Sequence, residues 1–218
     1  MKKQAAPDWK YETSLWNEGR QRVAGVDEVG RGPLAGPVMA AAVVLPRDCR
    51  LEGLNDSKKL TERQRERLYE QIIEHADAWS VAQREHTEID EINILQATLQ
   101  CMQEAVAALK PDAALIDGNQ LPELACPAQA LVKGDSRSCS IAAASIVAKV
   151  TRDRLMCRYA QDYSVYGWES NKGYASRQHI TAIHVHGLSP LHRVTFCQKI
   201  LASKPTQLEV FGSCEKQS

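Results

Sequence analysis

Gly25-Val26-Asp27-Glu28-Val29-Gly30-Arg31-Gly32-Pro33-Leu34-Ala35-Gly36-Pro37 sets two adjacent acids against a glycine-arginine-glycine turn, and its reading decides the rest of the chain. Upstream, residues 22–26 predict a short buried strand. Downstream, residues 38–45 form a second apolar run that stops at Pro46. The acids are therefore expected where one strand ends and the chain turns back. Gly30 and Gly32 have no Cβ and can bring backbone N–H groups against a phosphate or a sugar, and Arg31 between them offers a planar fork to a phosphate. Acids beside anion-binding groups point to a metal-bridged phosphate. A dinucleotide loop is excluded by spacing, since the glycines fall at 30, 32 and 36, Pro33 intervenes, and a strand follows where that fingerprint needs a helix. A solvated hairpin turn stays open on this stretch alone.

Working outward, residues 1–20 read as an arm in which Tyr11, Leu15 and Trp16 can dock against a core. A polar loop over 47–59 holds Asn55-Asp56-Ser57-Lys58-Lys59, and Thr61 with Gln64 then makes a capping box that opens a helix carrying Leu68, Ile72, Ile73 and Ala76 on one face. Residues 78–84 read as a third strand. Steps of three and four from Ile92 through Leu95, Leu99, Met102 and Val106 to Leu109 predict one helix over 90–109, stopped by Lys110-Pro111. A short buried strand at 113–116 leads into Asp117-Gly118-Asn119, and a last strand at 128–132 into Lys133-Gly134-Asp135-Ser136. A long helix follows to about residue 162. Its small residues Ala142, Ala143, Ala144, Ser145 and Ala148 let it lie close against a sheet. Residues 166–199, broken at Gly167, Gly173 and Gly187, predict short helices.

The chain has 218 residues, 44% hydrophobic and 25% charged, which fits one large soluble domain with a substantial core. No apolar run approaches the roughly 18 residues of a membrane span, and residues 1–10 lack an apolar signal core, so a cytoplasmic protein is expected. Seven scattered cysteines without a Cys-x-x-Cys pair argue against a disulfide framework and a thiolate zinc site. The net charge is zero, but residues 171–199 carry four Lys or Arg, four His and no acid. A nucleic-acid partner would therefore be held by a local basic face.

Strands alternating with helices indicate an α/β sheet, in which ligands gather outside the strands' carboxyl ends. Asp27, Glu28 and Asp117 fall at such ends, and Asp135 can join them from the helix-capping loop. Carboxylates about 4 Å apart repel by roughly 1 kcal/mol in water and about 4 kcal/mol at an effective dielectric near 20, so four together call for cations. An oxygen-only donor set favours Mg²⁺ or Mn²⁺, and two such ions serve in-line phosphoryl displacement. Neighbouring strand residues point to opposite faces, so Asp27 and Glu28 share one cluster only if the strand bends toward Gly30.

These motifs resemble the bacterial ribonuclease HII enzymes, type 2 ribonucleases H that cut the RNA strand of RNA–DNA hybrids. The likeness runs from Val23 to about Lys199. It rests on residues 25–37, Asp56-Ser57-Lys58-Lys59-Leu60, Ile116-Asp117-Gly118-Asn119, Lys133-Gly134-Asp135, residues 142–154, and Asn171-Lys172-Gly173-Tyr174. The resemblance implies an RNase H-like fold, with a mixed central β-sheet flanked by helices and a C-terminal helical extension. It divides the chain into an arm (1–20), a catalytic core (21–165), a helical substrate-binding extension (166–200) and a tail (201–218). It implies that Asp27, Glu28, Asp117 and Asp135 are the acidic metal ligands, and that Gly30, Arg31 and Gly32 read the 2′-OH and its phosphates. Tyr174 would help sense the RNA–DNA junction. Only 26 residues precede Asp27, which leaves no room for the added N-terminal domain of ribonuclease HIII. The expected activity is two-metal hydrolysis of hybrids and of duplex DNA containing ribonucleotides, giving 5′-phosphate and 3′-hydroxyl ends, by a monomer with no membrane partner. It would support ribonucleotide removal and genome maintenance.

Other readings compete at single residues. Asp153 rivals Asp135 as fourth ligand, but it lies 18 residues further on within the long helix, where pairing with Lys149 is the plainer role. His179, His184 and His186 have no acid or cysteine alongside and read as a solvated helix and turn. Lys58 and Lys59 are candidates for phosphate contact or simply a charged loop. A junction resolvase, or a protein that grips hybrids without cutting them, is the alternative to the nuclease reading. Cleavage of a duplex containing one ribonucleotide separates the three.

Overall fold

In a computed structural model, which describes residues 6–47 and 49–203, the apolar runs flanking the acidic pair are adjacent antiparallel strands, β1 (Val23–Val29) and β2 (Val38–Val44). Asp27 and Glu28 were expected just after the strand's end, but both lie within it. β2 offers small partners there, with Asp27 opposite Ala41 and Glu28 opposite Ala40, so pairing continues through the charges to Val29. β2 is buried along its whole length, as its run of alanine and valine predicts for an interior strand.

β3 (Ala78–Arg84) pairs antiparallel with β2, while β4 (Ala113–Asp117) and β5 (Ala128–Leu131) run parallel to β1. The result is a mixed five-stranded sheet in the order β3-β2-β1-β4-β5. β1 and β4 are neighbours, so Asp27 and the last residue of β4, Asp117, emerge side by side.

Eight α-helices accompany the strands among the described residues: α1 (Lys10–Asn17), α2 (Glu62–His75), α3 (His86–Ile92), α4 (Ile94–Leu109), α5 (Cys139–Asp162), α6 (Trp168–Asn171), α7 (Arg177–His186) and α8 (Val194–Ala202). The capping box at Thr61 and Gln64 forms as read. The single helix expected over 90–109 is instead two. Asn93 takes φ 68° and ψ 161°, a strained conformation far from the helical region that ends α3, and its side chain accepts from the N–H groups of Leu95 and Gln96 to start α4 afresh.

The described chain forms two compact units, one joining the residues up to Arg31 with Pro37–Arg152, the other joining Gly32–Gly36 with the residues from Asp153 onward. The first has a core of Val43, Ile72, Ala142, Ile146 and Val147 among others, with a smaller cluster where Tyr11, Leu15 and Trp16 of α1 dock on Val23, Leu115 and Ile141. Glu12 is fully buried there and accepts from Ser138 Oγ at 2.6 Å and Ser140 N at 2.8 Å, so α1 supplies a carboxylate at the N-terminus of α5. The second unit has its own core of Leu34, Met156, Trp168, Ile183 and Cys197. Of the tail read at 201–218, residues from 204 on lie outside the described residues. Six cysteines among the described residues are free thiols. No helix among them is long and apolar enough to cross a membrane.

Candidate active site

Three elements of the first unit bring acids together. β1 supplies Asp27, β4 supplies Asp117, and a single 3₁₀ turn at Gly134–Ser136, ahead of α5, supplies Asp135. Each offers a carboxylate oxygen, and these atoms lie within 4.8 Å of one another. Asp27 and Asp135 are buried and Asp117 is half-buried. Glu28 stands beside the trio: its carboxylate meets Arg31 Nη1 at 3.4 Å and still feels the charge of Asp117. That is what strand alternation demands of the residue next to Asp27.

The backbone orients these side chains. Asp27 Oδ1 accepts from Glu28 N–H at 2.7 Å, and Asp117 Oδ1 accepts from Gly134 N–H at 2.6 Å, which ties the end of β4 to the turn bearing Asp135. Ser145, from the small-residue face of α5, hydrogen-bonds Asp27, and its Oγ lies 2.7 Å from Ser57 Oγ. If Ser145 donates to the carboxylate, Ser57 donates to Ser145. Neither serine was singled out in the sequence. Both lie in motifs that carry the family resemblance, Asp56-Ser57-Lys58-Lys59-Leu60 and residues 142–154, where neither was given a role.

Crowded carboxylates set the electrostatics of the site. Burial, then the charges of Glu28 and Asp117, pushes the Asp27 carboxyl well above its ordinary range. Burial also raises Glu28, against the pull of Arg31, and raises Asp135 with help from Asp117 and Asp56. Lys58 answers from the rim: its Nζ is 3.8 Å from Asp135 Oδ2, and although burial works against its charge, Asp27, Asp135, Asp56 and Asp117 together hold it above the usual lysine value. Lys59 instead faces Asp56 at 3.9 Å. The adjacent lysines, read alike in the sequence, thus have different neighbours.

The glycine-arginine-glycine turn falls across the division of the chain. Gly30 and Arg31 belong to the first unit and Gly32 to the second. Gly30 has φ +90°, and a Cβ there would sit 2.3 Å from Arg152 Nε and 2.8 Å from the Pro37 carbonyl oxygen. Arg152 is fully buried and its Nε donates to that same carbonyl at 2.9 Å. Gly30→Ala therefore meets both a strained φ and an occupied space. Its cleavage rate is expected to fall at least about tenfold, with a loss of stability of about 2 kcal/mol, read from single-turnover kinetics and urea unfolding. Gly32 and Tyr174 are side by side in the second unit, with 3.7 Å between a Cβ built on Gly32 and Tyr174 Cε1, and Tyr174 is 42% exposed. His184 and His186 are not buried, whereas His179, read with them as solvated, is fully buried.

A buried set of oxygen donors with unbalanced negative charge suits hard divalent cations. The sequence profile of the ribonuclease HII family matches residues 24–199. Ribonuclease HII of Ruegeria pomeroyi is 57% identical over 194 residues, covering 87% of this chain and 82% of the relative, and that of Halalkalibacterium halodurans is 52% identical over 200 residues, covering 90% and 76%. Among solved structures, the PCNA:RNase HII complex from Archaeoglobus fulgidus holds a similar chain, with a TM-score of 0.74 and 27% identity over 86% of this chain and 99% of the other.

Proposed function

The chain belongs to the ribonuclease HII family, and from that premise we propose that Asp27, Glu28, Asp117 and Asp135 form the centre at which it hydrolyses RNA joined to or paired with DNA. It is a ribonuclease H, an endonuclease acting on RNA–DNA hybrids. The observation that carries the assignment of residues is the convergence of three carboxylates within 4.8 Å, from positions 27, 117 and 135, in a buried setting. Unneutralised, that arrangement opposes folding, so its persistence in the fold favours a role in holding cations.

Asp27, Asp117 and Asp135 would hold divalent ions, Mg²⁺ or Mn²⁺, with Glu28 completing the set from the Arg31 side. When bound, two such ions supply an activated water and offset the charge that develops on the leaving 3′-oxygen. The protein's own part is preorganisation. Glu28 N–H and Ser145 fix the Asp27 carboxylate, Gly134 N–H fixes that of Asp117, and Lys58 restrains Asp135. Arg31, whose side chain is 48% exposed, can exchange Glu28 for a phosphate. The backbone of Gly30, Arg31 and Gly32 would read the ribose, whose 2′-OH distinguishes RNA from DNA, with Gly32 leaving room for its approach. Tyr174 contributes an exposed phenol for the same recognition, and Lys58 and Lys59 a positive rim for the nucleic-acid backbone. All four acids come from one chain, which favours action as a monomer, and cleavage at ribonucleotides in duplex DNA would serve genome maintenance in the cytoplasm.

The test is cleavage of a DNA duplex bearing a single ribonucleotide by wild type and Asp117→Asn, with Mg²⁺ or Mn²⁺ present. Asparagine keeps the Oδ1 acceptor for Gly134 N–H, so the turn stays in place while the charge is lost. A fall of about 10²-fold in the single-turnover rate is expected. Undiminished cleavage would remove Asp117 from the site.

A further inference from the structure

Within the second unit, Trp168, His179 and His192 are buried at 0%, 0% and 2% exposure, and their hydrogen bonds fix both imidazole tautomers. His179 Nδ1 lies 2.9 Å from the backbone carbonyl of Tyr174, which can only accept, so Nδ1 carries the proton. His179 Nε2 is then the acceptor, and Trp168 Nε1–H donates to it at 3.1 Å. On the other ring, Ser189 N–H donates to His192 Nδ1 at 2.9 Å, which puts the His192 proton on Nε2, 3.0 Å from His179 Nε2. Two donors thus converge on His179 Nε2, which leaves Nδ1–H to donate to the residue that carries the exposed phenol.

The same pair borders the strip that begins at Gly32. Ala35 forms a β-bridge with His192, Leu34 N–H donates to the Gly173 carbonyl at 2.8 Å, and Arg193, next to His192, donates through Nε and Nη2 to the Gly36 carbonyl at 3.0 and 2.8 Å. Tyr174 N–H donates to the Asn171 carbonyl and the Tyr174 carbonyl also accepts from Ser176 N–H. The Tyr174 backbone is held while its ring is exposed.

We propose that His179 is a positioning residue for substrate selection, fixing the backbone of Tyr174 so that its ring is presented beside Gly32, with Trp168 and His192 together holding the tautomer that lets it do so. This rests on the reading above that Tyr174 meets the substrate. Two replacements divide the functions of the imidazole. His179→Asn keeps a donor near the place of Nδ1 but loses the Nε2 acceptor; His179→Gln does the reverse.

The experiment compares kcat/KM on a duplex with one ribonucleotide with kcat/KM on a long RNA–DNA hybrid and takes their ratio, using the full chain with Mg²⁺. Tyr174→Ala and His179→Gln are expected to shift that ratio in the same direction, His179→Gln by about threefold to tenfold for one lost hydrogen bond, while His179→Asn leaves it within about twofold. In the Tyr174→Ala background, His179→Gln should change the ratio no further. Equal shifts from Asn and Gln, or a Gln shift that adds to that of Tyr174→Ala, would show a role in general packing only and overturn the proposal. If His179→Gln does not fold, His179→Ala, which also lacks the Nδ1 donor, takes its place, with a shift expected alone and none on top of Tyr174→Ala; a shift in both backgrounds overturns it. An unchanged ratio in Tyr174→Ala itself sinks the premise about Tyr174, and an intact Tyr174 effect with no His179→Gln effect sinks this inference alone.

Discussion

Asp27→Asn should cripple cleavage and yet leave the protein, in buffer freed of divalent ions, at least as stable as wild type. Asp27 is 4% exposed and shares the 4.8 Å cluster with Asp117 and Asp135. A pair of like charges at that separation repels by about 3 kcal/mol at an effective dielectric near 20. Part of this is already relieved where Asp27 takes up a proton, since burial and then Glu28 and Asp117 hold its carboxyl well above the ordinary 3.8. The folded state therefore binds more protons than the unfolded one over that window, and ion-free wild type loses stability as pH rises from about 3.8 through the raised value. Asparagine removes that loss. Its amide oxygen can still accept from Glu28 N–H, so a gain of about 1 kcal/mol near neutral pH is expected. Cleavage should fall about 10³-fold, because Asp27 is the most enclosed ligand. Thermal melts with and without Mn²⁺ complete the test: wild type should gain stability from the ion by mass action and the variant far less. A variant that cleaves within tenfold of wild type, or melts well below it in chelator, contradicts this account.

Much of this site was legible because its signals are local. The Thr61 and Gln64 box, the stop at Lys110-Pro111, and the acid ending β4 each depend on a few neighbouring residues, and each is found where it was read. What could not be read depends on partners distant in sequence. β1 runs through Asp27 and Glu28 because Ala41 and Ala40 lie opposite, which no pattern within residues 22–30 reveals. The break at Asn93 is hidden because Ile92 and Leu95 continue one apolar stripe across it. Lys58 rather than Lys59 faces Asp135 because of one 3₁₀ turn over Ser57–Lys59, a geometry two adjacent lysines do not encode. His179 looks like a polar residue on a short helix until Trp168 and His192 close over it.

Gly25→Ala is expected to cost most of the protein's stability. Gly25 sits midway along β1, two residues before Asp27, and a Cβ there would lie 2.0 Å from Ser140 C, 2.3 Å from Ser140 O and 2.3 Å from Ile141 N. All three are backbone atoms of α5, so no side chain can rotate away, and the helix must retreat by more than 1 Å to reach ordinary contact near 3.5 Å. It has little freedom to do so. Its start is held by Glu12 through Ser138 and Ser140, and Ile141, Ala142, Ala143 and Ala144 behind it are all fully buried. Overpacking of well-packed cores costs typically about 1–3 kcal/mol, and a clash of backbone on backbone belongs beyond that range, at about 4 kcal/mol or more against a total stability of about 5–15 kcal/mol. The damage reaches the chemistry too, because Ser145, which hydrogen-bonds Asp27, rides on α5. Gly53→Ala is the control: it has φ +83° and nothing within 4 Å of a built Cβ, so it carries only conformational strain, about 1 kcal/mol. Urea unfolding should place Gly53→Ala close to wild type and Gly25→Ala far below it, with poor soluble yield. If Gly25→Ala unfolds within 1 kcal/mol of Gly53→Ala, the close approach of α5 to β1 is not what holds Ser145 against the acidic cluster.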